Sequence, residues 1–154
     1  MHTLTESRRS LLLVALAMTG LAVTGPTLAQ QASQDAFLGK WAADDGSVRL
    51  EMFKAGAELR AHLLFGNQIM ERDNTTFKSD AKNPDPALRS RSLENIVFIH
   101  GLRWDDGQWT EGTLYDPSSG RTYRCTVEMK GNKMLLRGYL GISLLGQTRE
   151  FHRF

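Results

Sequence analysis

From residue 38 onward the chain is cut into short runs in which apolar and polar residues alternate, and this pattern limits the fold more than any other feature. Tyr123, Cys125, Val127 and Met129 alternate with Arg124, Thr126, Glu128 and Lys130, the period of two that turns one face of a strand to a core and the other to water. An amphipathic helix would scatter these side chains around its axis. The alternation recurs at Val48, Leu50 and Met52 and at Leu59, Ala61, Leu63 and Phe65. Turn chemistry ends each run: Asp44-Asp45-Gly46, Ala55-Gly56-Ala57, Asp105-Asp106-Gly107, Asp116-Pro117-Ser118-Ser119-Gly120 and Gly131-Asn132. Aspartate bonds its own backbone there, Pro presets φ, and Gly accepts the positive φ of a reversal.

The runs predict about eight strands, over 38–43, 48–52, 59–65, 96–104, 108–115, 123–129, 134–139 and 147–154. Sequential strands joined by tight turns pair with their neighbours, so the expected fold is all-β: an up-and-down antiparallel barrel of about eight strands, whose closure leaves no exposed edge. A two-sheet β-sandwich is the alternative. Leu50, Met52, Phe65, Phe98, Trp104 and Met129 are expected inside, and an eight-stranded barrel either fills with side chains or holds one small ligand. The run 96–104 is apolar on nearly both faces, as for a strand covered on its second side. His100 is expected to face the core with Phe98 and Leu102.

One connection breaks the rhythm. Residues 67–94 show no strand pattern, well beyond the ~12–15 residues of an ordinary loop. Within it, Asn83-Pro84-Asp85-Pro86-Ala87-Leu88-Arg89-Ser90-Arg91 predicts a short helix over 86–91 lying across the barrel: Asp85 is a good N-cap, Pro86 suits the first helical position, and Pro84 keeps Asn83 extended. Arg89 and Arg91 then either bond to loop carbonyls and to Asp80 or Asp85, or contact a ligand.

The first residues read as a targeting signal. Arg8 and Arg9 precede an apolar run from Leu11 through Val23, Gly25-Pro26 breaks it, and Thr27-Leu28-Ala29 offers small residues for cleavage after Ala29. This is a secretory signal peptide, residues 1–29, followed by a flexible lead-in over 30–35 and one β domain over 30–154. The apolar run is too short for a bilayer-spanning anchor, so no transmembrane anchor is expected after cleavage, and the expected location is periplasmic or secreted. General secretion is preferred to the twin-arginine route that Arg8-Arg9 also suggests. Without Arg8, Arg9 and Glu6 the formal charge falls from +2 to +1, which gives no general electrostatic reason to bind nucleic acid. Cys125 is the single cysteine. An intramolecular disulfide is therefore impossible despite an oxidising destination.

Several separate motifs carry a resemblance. Gly39-Lys40-Trp41, residues 83–91, Tyr115-Asp116-Pro117 with Gly120 and Tyr123, Leu136 with Gly138-Tyr139 and Gly141, and Gly146 with Thr148 before Arg153 together resemble, in order, the bacterial exported family called domain of unknown function 2147. The resemblance implies a small lipocalin-type barrel and no known biochemistry. Gly39, Trp41 and Arg153 are also similar to the calycin signature, which implies a structural role: an arginine from the last strand over a first-strand indole, a contact of about 0.5–2 kcal/mol. Cysteines that the resemblance places at the positions of Arg60 and Tyr139, as a suspected cross-link, are absent.

The residues point to no catalytic constellation. Cys125 sits on an apolar face, where a free thiol packs as a small hydrophobe. His62, His100 and His152 lie on separate strands without metal-ligand spacing, and the paired aspartates belong to turns. No catalytic residue, metal or cofactor is expected. The candidate ligand-binding residues are Asn83, Asp85, Arg89, Arg91, Tyr115, Asp116, Tyr123 and Arg137. Tyr115 and Tyr123 could share one barrel end; Arg137 would need an anionic partner if it pointed inward. The expected function is binding of a small amphipathic or apolar ligand at the open end, with the long connection as lid. The alternative is an envelope interaction protein that presents 83–91 to a protein or cell-wall partner.

Overall fold

The computed structural model describes residues 28–141 and 146–154. The segment read as a signal peptide lies outside the described residues up to residue 27. Helix α1 (Leu28–Asp35) precedes eight strands: β1 (Gly39–Ala43), β2 (Val48–Ala55), β3 (Glu58–Gly66), β4 (Val97–Asp105), β5 (Gln108–Asp116), β6 (Arg121–Lys130), β7 (Lys133–Tyr139) and β8 (Gln147–Arg153). They form a closed antiparallel barrel in sequence order. Closure comes from β1 against β8, with Trp41 opposite Arg153 and Ala43 opposite Phe151. The sandwich alternative is thereby excluded. Residues 30–35, read as a flexible lead-in, lie in α1, whose end is tied by Asp35 Oδ1 to Lys54 Nζ on β2 at 2.6 Å.

One end of the barrel is sealed. The Arg153 guanidinium lies 4.3 Å from the Trp41 ring centroid and donates to the carbonyls of Leu38, at 2.9 Å, and Ala36. Trp41 donates its indole N–H to the Phe37 carbonyl at 2.9 Å. Gly39 is required beneath this lid: its φ is +102°, and a Cβ there would stand 3.3 Å from Arg153 Nη1. Behind it Phe37, Trp104 and Trp109 meet edge to face, with centroids 5.3 to 6.4 Å apart. The expected structural pairing of Gly39, Trp41 and Arg153 is thus present, and aromatic edges fill what a longer cavity would need.

Register slips redirect side chains that simple alternation misassigns. On β4, Leu102 pairs with Leu59 but Ile99 with Ala61, so β4 carries one residue more than β3. Gly101, at φ +74°, takes up the extra residue. His100 is therefore exposed rather than facing the core, and a second slip, in which His62 pairs with Val97 one residue after Ala61 pairs with Ile99, leaves Phe98 and Ile99 both buried. This, and not a second covering layer, explains the apolar run: Val97 on the outer face is 40% exposed. On β2 and β3 the register slips between Arg49 and Leu50. Phe65, expected inside, instead lies opposite Arg49, whose guanidinium is 5.4 Å from its ring. Leu50, Met52 and Phe98 are buried in the core, with Trp104 and Met129 packed at its margin.

Arg60 on β3 and Tyr139 on β7 stand on strands separated by three others in either direction round the barrel. A disulfide between those positions would exceed the ~7 Å limit between Cα atoms.

Candidate ligand cavity at the open end

Connections 44–47, 67–96 and 117–120, with residues 140 and 141 after β7, gather at the end opposite the Trp41 seal, and the long one is built around a buried carboxylate. Asp80 has no exposed surface. Its Oδ2 accepts from Arg91 Nε at 2.9 Å and Asn83 Nδ2 at 2.7 Å, with Arg91 Nη2 at 2.8 Å, and its Oδ1 accepts the Tyr115 hydroxyl at 2.5 Å. Donors on both oxygens, one of them cationic, are what a fully desolvated carboxylate needs. Burial and then the Asp80 carboxylate hold the Tyr115 phenol well above its ordinary pKa. Lys82 donates to the Ser118 carbonyl, and Gly120 lies so close to the Lys82 carbonyl that a Cβ would overlap it. The connection is thus clamped to the β5–β6 turn.

The helix expected over 86–91 is a single 3-10 turn, Pro86–Leu88, without a buried residue. Asp85 caps it as expected, accepting from the Ala87 N–H at 2.9 Å. It stops because the chain must return to extended pairing: Asp80 N–H donates to Arg91 O at 3.0 Å, Leu93 N–H to Lys78 O at 3.1 Å, and Ser79 bridges Ser92. Arg89 donates to the Asn83 carbonyl at 2.8 Å. Of the two roles open to the arginines, these contacts are the bracing one. The turn carries no residue of the cavity wall.

Inside the barrel beside this brace is a cavity of about 740 Å³. Leu63, Phe98, Leu114, Leu136 and Phe151 form an apolar floor, and Asp45, Ser47, Asn67, Asp116, Gln147 and Arg149 contribute to a polar rim. The long connection reaches it only through residues 67–69, where Ile69 is 5% exposed and packs into the core.

Of the candidate residues, Tyr115, Asp116 and Tyr123 border the cavity, while Asn83, Asp85, Arg89 and Arg91 do not. The tyrosines reach one barrel end but opposite faces. Tyr123 pairs with Leu114, on the face of buried Cys125 and Val127, whereas Tyr115 pairs with Thr122 and reaches out to Asp80. Asp116 is engaged in its own turn, accepting from the Ser118 N–H and the hydroxyls of Ser118 and Ser119. Arg137 lies on the alternate face to buried Leu136 and donates to Thr148 Oγ1 at 2.9 Å. Sequence reasoning did not pick out the Asp45–Ser47–Arg149 group, in which Arg149 Nη1 meets Asp45 Oδ2 at 2.6 Å. Asp45 and Arg149 are 104 residues apart, and only closure of the barrel joins them. Cys125 is buried, and desolvation pushes its thiol up to about 12. His62 stacks on Phe53 at 4.4 Å and His152 meets Asp44 at 2.7 Å; among the described residues no three potential metal ligands converge.

Comparison with known proteins agrees with this architecture. A family profile described as "Uncharacterized protein conserved in bacteria (DUF2147)" matches residues 39–153. The chain matches no curated protein. Among solved structures it is similar to protein HP1028 of Helicobacter pylori, described as belonging to the lipocalin family, with a TM-score of 0.66 and 22% identity over 77% of this chain and 82% of that one. The profile runs from the glycine under the seal to the arginine that closes it, and the chain belongs to this bacterial family of uncharacterized proteins, built on a lipocalin-like barrel.

Proposed function

We propose that this protein is exported and binds a small amphipathic or apolar molecule in the cavity at the open end of its barrel. The observation that supports this is the cavity itself: its 740 Å³ falls in the range of roughly 300–1,000 Å³ typical of small-molecule sites. Its apolar floor and polar rim suit a molecule with a tail and a head. Export is supported by the charged, apolar and small-residue succession of residues 1–29. Presentation of 83–91 to an envelope partner has less support, because Arg91 is held by Asp80 and Arg89 by a loop carbonyl.

Gly138 provides the test. It lines the cavity, and a Cβ added there meets nothing within 4 Å, so Gly138→Trp should occupy the site while sparing the fold. Protein purified from its own bacterium should begin at Gln30 and retain a small molecule in native mass spectrometry, and Gly138→Trp should lose that molecule at unchanged thermal stability. Repeatedly ligand-free wild-type protein, or a molecule retained equally by the variant, would overturn the cavity reading.

A further inference from the structure

The polar wall of the cavity divides into groups already engaged and groups that are not. Every charged side chain on it is engaged. Arg149 is held by Asp45 and by Ser47 Oγ at 2.6 and 2.9 Å, and the Ser47 hydroxyl and N–H hold Asp45 below its ordinary pKa, so that it is ionised and balances the arginine. Asp116 accepts three bonds from its own turn. Lys78 and Lys82 hold the main-chain carbonyls of Gln68 and Ser118 and are not part of the wall.

The wall side chains left without a hydrogen-bond partner among the described residues are neutral: the Tyr123 phenol and the carboxamides of Asn67, Gln68 and Gln147. Tyr123 shares the inward face with Leu114, against which it pairs. A phenol both donates and accepts, as does a carboxamide, so these groups satisfy a hydroxyl, ester or amide. Among the described residues a ligand carboxylate would find only Arg149, already charge-balanced by Asp45, and an ammonium only that paired Asp45 or the turn-bound Asp116. Either charge, seated beside Tyr123, would shed hydration with no counter-charge to replace it.

From this division we infer that the ligand is an uncharged amphiphile, its apolar tail on the Leu114 and Phe151 floor and a neutral hydroxyl or carbonyl group bonded to Tyr123. The inference rests on the cavity reading above and adds to it the class of ligand. Calorimetric titration at pH 7 with three molecules of equal chain length separates the two: 1-monododecanoylglycerol, dodecanoate and dodecylamine, each below its micellar concentration. The glyceride should bind about tenfold more tightly than either ion. Tyr123→Phe should weaken the glyceride about two- to tenfold, the equivalent of one hydrogen bond, and leave the ions and the melting temperature unchanged. Dodecanoate or dodecylamine binding as tightly as the glyceride, or a glyceride affinity indifferent to Tyr123→Phe, overturns the neutral-head inference while Gly138-sensitive binding keeps the cavity reading. No binding by any of the three overturns both.

Discussion

Arg91→Ala tests the central structural claim, that a buried carboxylate organises the long connection. Asp80 is wholly buried, whereas the Arg91 side chain is 38% exposed. Removing one partner of a fully buried ion pair costs about 3–5 kcal/mol. Here the cation is partly solvated and Asp80 keeps Tyr115 and Asn83 as donors, so the expected loss is lower, about 2–3 kcal/mol. For a barrel of this size that lowers the melting temperature by about 8–12 °C. Urea unfolding followed by tryptophan fluorescence measures it. Tyr115→Phe, which removes one neutral donor to a charged acceptor, should cost about 1–2 kcal/mol. Asp80→Ala combined with Arg91→Ala should cost less than the sum of the single variants, because the second loss no longer strands a buried partner. An Arg91→Ala loss below about 1 kcal/mol, or strict additivity in that cycle, would refute the reasoning: the connection would then be held by its main-chain pairing and not by the ion pair.

Gly112→Ala places a Cβ 2.5 Å from Leu102 Cδ2 and 2.7 Å from Cys125 Sγ, and such overpacking should destabilise the barrel by about 1–3 kcal/mol, read in the same unfolding assay. Because the thiol is buried and pushed up to about 12, Cys125 should resist iodoacetamide at pH 8 in the native state and react on unfolding, as followed by intact mass. Asp44 is held below its ordinary pKa first by Lys133, Asp45 first by Ser47 and Glu58 first by Arg60. Depressed carboxylates stabilise the fold above their unfolded values and lose that stabilisation as pH falls through the folded ones. Stability should therefore be level from neutrality down to about pH 5 and decline below about pH 4, as measured by melting temperature against pH.

The strands were legible in the sequence because their causes are local. A period of two and turn residues such as Asp105-Asp106-Gly107 act within a few positions, and all eight strands stand where the alternation places them, to within a few residues. The seal was legible too, since Gly39 and Trp41 mark the first strand and Arg153 the last. His100 and Phe65 were misplaced for one reason: a bulge inserts a residue into one strand, and its position depends on the partner's register, which alternation does not encode.

Tertiary structure alone decided the rest. The sequence marked residues 83–91 as unusual and left Arg89 and Arg91 between brace and ligand contact. The choice fell to Asp80, and Asp80 becomes a fully buried acceptor only when Tyr115 from β5 comes over it. The cavity follows the same logic. Leu63, Leu136 and Phe151 read as ordinary core residues in their strands, and they face an unfilled volume because the large aromatics Trp41, Trp104 and Trp109 collect at the other end. Local alternation fixes which face a residue shows. Whether that face meets side chains or space is set by strand closure and register, which bring together residues as distant as Asp45 and Arg149.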